Sequence, residues 1–334
     1  MSTQETYLKG IADAIRAKTG ETGTIKASEF ASKIAAIPTG VTKPGWTQSA
    51  LPISEHWFSV CYGNGKFVAV NNLDATAVCS IDGINWTKCF LSERATWRSV
   101  CYGNGKFVAV AKSTITGSMA AIAAYSTNGI NWTKVTLPGS RTWMSVCYGG
   151  GIFVAVCENE LLPAYSTDGI DWNSGRLPVS AEWQSVCYGN GKFVTVANGS
   201  AIAAYSTDGI NWTQGTLPVS ANWYSVCYGN GKFVAVAQNS NVAAYSTDGI
   251  NWTQSTLPAS ADWRSVCYGN GKFVTVANGS AIAAYSTDGI NWTQCTLPSS
   301  AKWLSVCYGG GKFVTVANSS SIAAYLKDSF DEWA

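Results

Sequence analysis

The chain has 334 residues, of which 46% are hydrophobic, 12% aromatic and only 13% charged, so it has ample apolar material for a core and is not disordered in bulk. Its net charge is +2 and no basic cluster occurs, which argues against nucleic acid or an anionic membrane as a partner. The polar N-terminus lacks a secretion signal, and no apolar run could span a membrane, so we expect a soluble protein.

Residues 1–40 favour a small helical module. The apolar residues of a first helix recur with helical spacing at Tyr7, Leu8, Ile11 and Ile15. Gly20 ends this helix, and a second short helix begins near Ser28 and ends before Pro38. Two short helices bury little surface alone, so we expect this module to dock on a partner or on copies of itself. Residues 41–45 form a linker to the remainder of the chain.

A repeat of about 40 residues fills the remainder, residues 46–334, as is typical of propellers. The phrase W-x-S-V-C-Y-G occurs seven times, with successive spacings of 40 residues except for one of 46. The copies begin at Trp57, Trp97, Trp143, Trp183, Trp223, Trp263 and Trp303.

Each repeat predicts four short strands. In the copy at residues 183–218 these are 183–188, 192–196, 203–206 and 212–217. They are rich in Val, Tyr, Phe and Trp, and Asn-Gly or Asp-Gly dipeptides, which tolerate positive φ, mark the tight turns. Four antiparallel strands in 40 residues form a propeller blade, so the predicted fold class is an all-β, seven-bladed β-propeller.

The ends of the repeat region predict how the propeller closes. The last repeat has three strands, through Tyr325, and then no room for a fourth. Residues Trp46–Pro52 match the fourth strand Trp252–Pro258 almost letter for letter. We therefore expect this N-terminal strand to pair beside residues 323–325, which completes the last blade and removes an open sheet edge.

The segment Tyr-Ser-Thr-Asp-Gly-Ile-Asn-Trp, as in residues 205–212, resembles the Asp-box of sialidase-like (BNR) propellers. The copies are one residue shorter than that pattern, Asn128 replaces Asp in one of them, and Ile81 replaces Thr in another. The resemblance implies an architecture without an activity. It implies that the Asp caps the backbone of a hairpin turn and that the Trp packs between blades.

The N-terminal sequence resembles a short module of tail and tail-fibre proteins from phages and prophages of Gram-positive bacteria. The residues that carry this resemblance are 7–20, 24–30 and 34–37. The repeats also look like propellers of such proteins. The resemblance implies a virion component at the phage tail, assembled in the host cytoplasm, in which residues 1–40 attach to other tail proteins.

The eleven cysteines favour neither disulfides nor a metal site. Seven occupy one repeat position, and copies of one position in successive blades lie too far apart for a disulfide, so we expect small buried side chains. Cys79 and Cys89 could face each other across a hairpin. No CxxC pair occurs, and we expect neither zinc nor another cofactor.

The repeats differ from one another mainly at the residues that flank the first Trp and in the loop between the second and third strands. We expect these positions on one face of the disc, opposite the near-constant turns. The residues that follow the Trp are Phe58, Arg98, Met144, Gln184, Tyr224, Arg264 and Leu304. Those that precede it include Glu182, Asn222, Asp262 and Lys302.

Drift of unconstrained loops is one explanation for this variation. The other is a ligand-binding face, and mixed aromatic, aliphatic and Arg side chains suit recognition of a host-surface glycan or protein. We favour the second, because the exposed turns on the opposite face have not drifted. Turn geometry accounts for part of that constancy.

Catalysis is the less favoured interpretation. The single His, His56, removes most imidazole schemes, and only six Arg occur, without the triad-like placement that a sialidase needs. Scattered acids such as Glu158 could form a glycosidase pair but are more often solvated. We therefore expect a non-enzymatic tail or receptor-binding protein; the alternatives are a glycosidase acting on surface polysaccharide and a structural or assembly scaffold.

Overall fold

The computed structural model describes residues 9, 12, 13, 15, 16, 22, 24–26, 29 and 45–327. Residues Gly45–Asp328 form one compact unit, which is a β-propeller; no residue of 45–327 is helical. In the N-terminal segment, described residues 9, 12, 13, 15 and 16 are helical and Glu29 lies in a 3₁₀ turn. The rest of the two predicted helices falls outside the described residues, so a helical module is not seen. No helix among the described residues is long and apolar enough to cross a bilayer.

The propeller consists of strands in antiparallel pairs. The first eight strands are β1 (Thr47–Gly63), β2 (Lys66–Asn71), β3 (Thr76–Ser80), β4 (Thr87–Phe90), β5 (Ala95–Gly103), β6 (Lys106–Thr114), β7 (Ala120–Ser126) and β8 (Thr133–Arg141). The next eight are β9 (Trp143–Gly149), β10 (Ile152–Glu160), β11 (Ala164–Ser166), β12 (Asn173–Ser174), β13 (Ala181–Gly189), β14 (Lys192–Ala197), β15 (Ser200–Ser206) and β16 (Thr213–Ala221). The remaining strands are β17 (Trp223–Gly229), β18 (Lys232–Ala237), β19 (Ser240–Ser246), β20 (Thr253–Gly269), β21 (Lys272–Ser286), β22 (Thr293–Gly309) and β23 (Lys312–Lys327).

The four-stranded organisation of a repeat is confirmed. Strands β5, β6, β7 and β8 form one sheet in that order. In the repeat used for the prediction, β13, β14, β15 and β16 begin and end within four residues of the predicted strands. Some strands continue from the fourth strand of one repeat into the first strand of the next, as β20 does when it pairs with both β19 and β21.

The predicted closing strand pairs as expected. In β1, Thr47 lies opposite Tyr325 and Ser49 opposite Ala323 of β23. The same long strand then pairs through its C-terminal half with β2. One strand thus serves the last repeat and the first, so the backbone hydrogen bonds of the last repeat are satisfied by the beginning of the propeller chain.

A recurring serine hydrogen bond links neighbouring repeats. The Oγ of Ser185 in β13 accepts the backbone N–H of Val226 in β17 at 3.1 Å, and each repeat has the same bond. The last one joins Ser305 to Val60 at 3.0 Å across 245 positions of sequence. The contacts therefore run in a cycle that returns to its starting repeat.

We expect Ser185→Ala to lower the free energy of unfolding by about 1–3 kcal/mol, because the buried N–H of Val226 then lacks its acceptor. Urea unfolding followed by circular dichroism measures the change. Ser220→Ala is the matched control, since the exposed Ser220 hydroxyl makes only a 3.4 Å bond. Equal stabilities for the two variants would contradict a structural role for the serine cycle.

Tyrosine–glycine packing forms a second cycle between repeats. The ring of Tyr228 lies against Gly189 so closely that a Cβ on this glycine would stand 1.9 Å from the tyrosine Cγ. The same contact recurs from repeat to repeat and closes where Tyr62 meets Gly309. These glycines do not lie in the positive-φ region. They are required because the neighbouring ring occupies the space of a side chain.

Tryptophans fill the space between repeats. The first Trp of every copy is completely buried. Trp223 packs in one cluster with Val194 and Val196 of the preceding repeat, and Trp212 packs with Val154 and Val156. The predicted packing of the turn Trp between repeats is thereby confirmed.

The third-to-fourth turn is capped by its aspartate, as predicted. Asp208 Oδ1 accepts the backbone N–H groups of Ile210 and Asn211 at 2.8 Å each, and the Ser206 hydroxyl donates to the same oxygen at 2.8 Å. Burial opposes ionisation of Asp208, but the hydrogen bonds from Asn211, Ile210 and Ser206 outweigh it and hold the carboxyl pKa well below its usual range.

A depressed pKa in the folded state stabilises the protein above the unfolded value of about 4, and this contribution is lost as the pH falls through the folded value. We therefore expect Asp208→Asn to lower the free energy of unfolding at pH 7 by about 1 kcal/mol, because solvent screens this exposed carboxylate, and to reduce the acid sensitivity of unfolding. Asn128 occupies the same turn position and accepts both N–H groups at 2.9 Å, so an amide fits. Urea midpoints from pH 7 to pH 2 measure the effect; parallel curves for variant and parent would contradict it.

The cysteines among the described residues are free thiols, as predicted for the seven repeat copies. Burial raises the pKa of the Cys101 and Cys227 thiols well above the usual range. Cys79 and Cys89 lie within hydrogen-bonding reach of each other in the first repeat, and neither is in a disulfide. The structure thus contains a neighbouring thiol pair there without a covalent link.

Candidate functional site

The residues that follow the first Trp of each repeat meet in one pocket on the propeller axis. They lie on the first strands, and the first strands of neighbouring repeats contact each other around the axis. This axial pocket has a volume of about 400 Å³. The seven residues are Phe58, Arg98, Met144, Gln184, Tyr224, Arg264 and Leu304.

Their placement corrects the prediction that they lie at the surface of one face. Met144 and Gln184 are only 4% and 8% exposed, and the other five are half-buried. The physical reason is that the innermost strand directs this position towards the axis, where the opposite side of the ring covers it. The variable position is therefore the wall of a pocket.

The pocket has a layered wall, because each repeat contributes equivalent residues. On one side of the seven lies the position five residues after the second-strand Phe: Lys112, Glu158, Asn198, Gln238, Asn278 and Asn318. A smaller space of about 110 Å³ is lined by the seven and by the serines next to them in sequence, such as Ser185 and Ser225. We call the serines the lower layer, the seven residues the middle layer, and Lys112 and its equivalents the upper layer. The lower layer is constant because its serines also bond the neighbouring repeat, whereas the middle and upper layers vary.

Arg98, Tyr224 and Arg264 form a cluster in this pocket. Arg98 donates to the Tyr224 hydroxyl at 2.7 Å, although 126 positions separate them in sequence. The Arg98 guanidinium also lies 3.9 Å from the centre of the Phe58 ring. The Arg264 guanidinium lies 4.6 Å from the centre of the Tyr224 ring. Two cations thus flank a single phenol.

The cluster is electrostatically unusual. Burial raises the pKa of the Tyr224 phenol, but the positive charges of Arg98 and Arg264 outweigh burial and lower it. Arg264 is balanced by Asp262, whose Oδ2 accepts from it at 2.8 Å. Arg98 has no carboxylate within ion-pair distance among residues 45–327. The site therefore retains a positive charge beside the phenol.

The candidate binding residues that precede the first Trp of a repeat have different places in the site. Lys302 lines the axial pocket. Glu182 accepts from Asn198 Nδ2 at 2.9 Å, and Asp262 accepts from Asn278 Nδ2 at 2.7 Å, so these acids hold residues of the upper layer.

Asn222 differs from those three residues. Its side chain is exposed, and the axial pocket wall does not include it. Its backbone carbonyl accepts from the Gln238 N–H at 2.9 Å. Ligand binding by any of these residues stays a prediction.

The meeting of Arg98 and Arg264 was not predicted from the sequence, because these two residues lie four repeats apart. The signal that could have found them is their shared repeat position, since equivalent positions of innermost strands converge on the axis. The variable loop between the second and third strands was predicted to lie on the same face as the wall residues, and its residues do line the pocket.

Among the described residues no three His, Cys, Asp or Glu side chains lie close enough together to hold a metal ion. The single histidine, His56, has its Nδ1 3.1 Å from the Ser319 hydroxyl. The axial pocket is thus defined by cations, amides, a phenol and apolar side chains.

Comparison with known proteins supports the fold. A family described as the DUF6242 beta propeller domain matches residues 222–334. No curated protein matches the chain. The solved structures that are similar to it are propellers of distant sequence, so the similarity concerns the fold alone.

Three of these structures illustrate the range. Virginiamycin B lyase from Staphylococcus aureus, in a catalytically inactive form with quinupristin, is 14% identical, with a TM-score of 0.75 over 84% of this chain and 98% of that one. YCF48 bound to a D1 peptide is 13% identical, with a TM-score of 0.67 over 87% and 99%. The WD40 beta propeller domain of Doa1 is 14% identical, with a TM-score of 0.62 over 87% and 99%.

Proposed function

We propose that the chain is a seven-bladed, non-enzymatic recognition protein of a phage tail. In this proposal the axial pocket binds a host-surface glycan or protein, and residues 1–40 attach the propeller to other tail proteins. The resemblance of the turns to the sialidase-like Asp-box concerns the conformation of the turns and implies no enzymatic activity.

The variation at the pocket wall is the observation that carries the recognition role. Adjacent positions of the same strand are constant between repeats, because Ser and Val there make the bonds that link the repeats. Within the segment W-x-S-V-C-Y-G only the wall position x changes, between aromatic, aliphatic, amide and cationic side chains. A position that only packs in near-identical repeats would hold the same residue type in every repeat. Positions that contact a ligand of irregular shape and charge instead favour a different residue type in each repeat.

The similar structures offer an analogy. Two of these structures contain a bound molecule, quinupristin in the lyase and a D1 peptide in YCF48. A propeller of this size therefore suits a binding role. The lyase also shows that the fold can serve an enzyme, so sugar release must be measured together with adsorption.

The tail role rests on the resemblance of residues 7–37 to modules of Gram-positive phage tails. A tail protein present in several copies would bind a repetitive cell surface through several propellers at once, and such multivalency raises the overall affinity without new contacts. Modest affinity of one axial pocket would then suffice for adsorption. Association of the chain with copies of itself is part of this proposal.

Adsorption of the purified protein to host cell envelopes tests the function. We expect Tyr224→Ala and Arg264→Ala each to reduce binding at least about tenfold, which corresponds to about 1.4 kcal/mol. Arg176→Ala is the control, because Arg176 is exposed on strand-like backbone outside the axial pocket wall. Undiminished adsorption of both pocket variants would contradict the proposal, and release of reducing sugar from the envelope would favour a glycosidase.

A further inference from the structure

The axial pocket concentrates positive charge. Four cationic residues line it, Arg98, Lys112, Arg264 and Lys302, against one acid, Glu158. The Glu158 carboxylate lies 3.7 Å from the Lys112 ammonium group. Asp262, which does not line the pocket, forms an ion pair with Arg264. Within residues 45–327, Arg98 and Lys302 have no carboxylate at ion-pair distance. A concave wall with surplus cations attracts an anion.

Arg98 is held in a fixed orientation with donors to spare. Its guanidinium stacks on Phe58 at 3.9 Å, and one nitrogen donates to the Tyr224 hydroxyl at 2.7 Å. A guanidinium has five N–H donors in a planar fork, and such a fork suits the two oxygens of a carboxylate or phosphate. Because its position is already set by two ring contacts, little side-chain freedom remains to be lost on binding.

The upper layer supplies acceptors beside these donors. The side-chain oxygens of Asn198, Gln238 and Asn278 are buried without a hydrogen-bond partner among the described residues. These residues come from three consecutive repeats and line the same pocket. Buried acceptors of this kind require donors from a ligand or from water. Asn198 and Asn278 donate from their amide nitrogens to Glu182 and Asp262. The amide oxygens of the two asparagines therefore remain to accept from the hydroxyl groups of a ligand.

Donors and acceptors together favour an acidic sugar over an acidic peptide side chain. A sugar that bears a carboxylate or phosphate presents an oxyanion and several hydroxyl donors within one small unit. An Asp or Glu side chain presents the oxyanion alone, and its nearest donor is a backbone N–H. The pocket volume of about 400 Å³ also lies in the range of small-molecule sites.

The geometry points to an acidic saccharide as the ligand, with its carboxylate or phosphate bound by the free donors of Arg98 beside the Tyr224 hydroxyl and its hydroxyls donating to the amide oxygens of the upper layer. This inference rests on the proposed function, because it names the ligand of the same pocket. The Tyr224 oxygen accepts from Arg98, so the phenol O–H is the group left to donate to the bound oxyanion.

Calorimetric titration of the full chain tests the inference with defined probes. The probes are trigalacturonic acid for a carboxylate, glucose 1-phosphate for a phosphate, neutral maltotriose and hexaglutamate. We expect one acidic sugar to bind at least about tenfold more tightly than maltotriose and hexaglutamate, and its identity separates the carboxylate from the phosphate. Arg98→Gln should weaken that binding at least about tenfold, and Arg98→Lys, which keeps the charge without the fork, by less.

Arg176→Gln is the matched control, since it removes the same charge from an exposed site outside the pocket wall. Thermal melts show that each variant is folded. Equal affinity for maltotriose, tighter binding of hexaglutamate, unchanged affinity of Arg98→Gln or no binding of either acidic sugar each overturn the inference. If envelope adsorption still depends on Tyr224 in those cases, the ligand class is wrong and the proposed function stands; if it does not, the function fails as well.

Discussion

Gly189→Ala is expected to lower the free energy of unfolding by about 3 kcal/mol or more. The new Cβ would stand 1.9 Å from Cγ of Tyr228, a contact that no side-chain atom tolerates, so the tyrosine ring and its strand must move. Overpacking in a well-packed interior costs about 1–3 kcal/mol and more when a rigid ring must shift. Urea unfolding followed by tryptophan fluorescence measures the loss.

Gly215→Ala is the matched control for this prediction. A Cβ at Gly215 has its nearest neighbours at 3.8 Å, which is ordinary contact, and its φ lies outside the positive region. The equivalent position of another repeat holds Val135, so the site accepts a larger side chain. We expect this variant to remain within about 0.5 kcal/mol of the parent. Equal destabilisation of the two variants would show that the Tyr–Gly cycle is not the reason for the effect.

The same glycine shows where sequence reasoning reached its limit. The segment Tyr-Gly-Asn-Gly is read as a tight turn, and this is correct for Asn190 and Gly191, whose φ angles are 46° and 73°. Gly189 has no such angle, and its neighbour in the next repeat determines its identity. A local pattern cannot reveal this, because Tyr228 lies outside the turn and in another repeat.

The fold was accessible from sequence because its signals are local and repeated. Strand lengths, turn dipeptides and the orphan strand at Trp46–Pro52 predicted the propeller and its closing pairing with Tyr325, which the register confirms. The carboxylate of Asp208 caps its turn as expected, since both partners lie within three residues of it. Each of these features depends on neighbours in sequence or on a copy of them.

The site was only partly accessible, for a geometric reason. Periodicity identified the wall residues, including Tyr224 and Arg98, but placed them on an exposed face. Which way a strand residue points depends on the position of its strand in the blade, and a single repeat does not contain that information. The pairing of Arg98 with Tyr224 also depends on which repeats stand across the axis, which follows only from closure of the ring.

Trp223→Ala is expected to cause a stability loss of about 3–5 kcal/mol, the usual cost of removing a buried Trp. Its indole is fully buried, packs against Val194 and Val196 of the preceding repeat, and donates from Nε1 to the Val219 carbonyl at 3.1 Å. The cavity would open between two repeats, so both lose packing at once. Urea midpoints and their slopes measure the change.

The stability loss of Trp212→Ala, compared with that of Trp223→Ala, shows whether the depth of burial or the position in the repeat determines the effect. Trp212 is 8% exposed, contacts Phe193 at 6.4 Å between ring centres, and belongs to the interface with the preceding repeat. We expect a loss in the same range but at its lower end, because part of the indole already faces water. An unchanged unfolding midpoint for Trp212→Ala would contradict its role as a packing residue. A larger loss for Trp212 than for Trp223 would place the main contact between repeats at the turn, away from the innermost strand that builds the axial pocket.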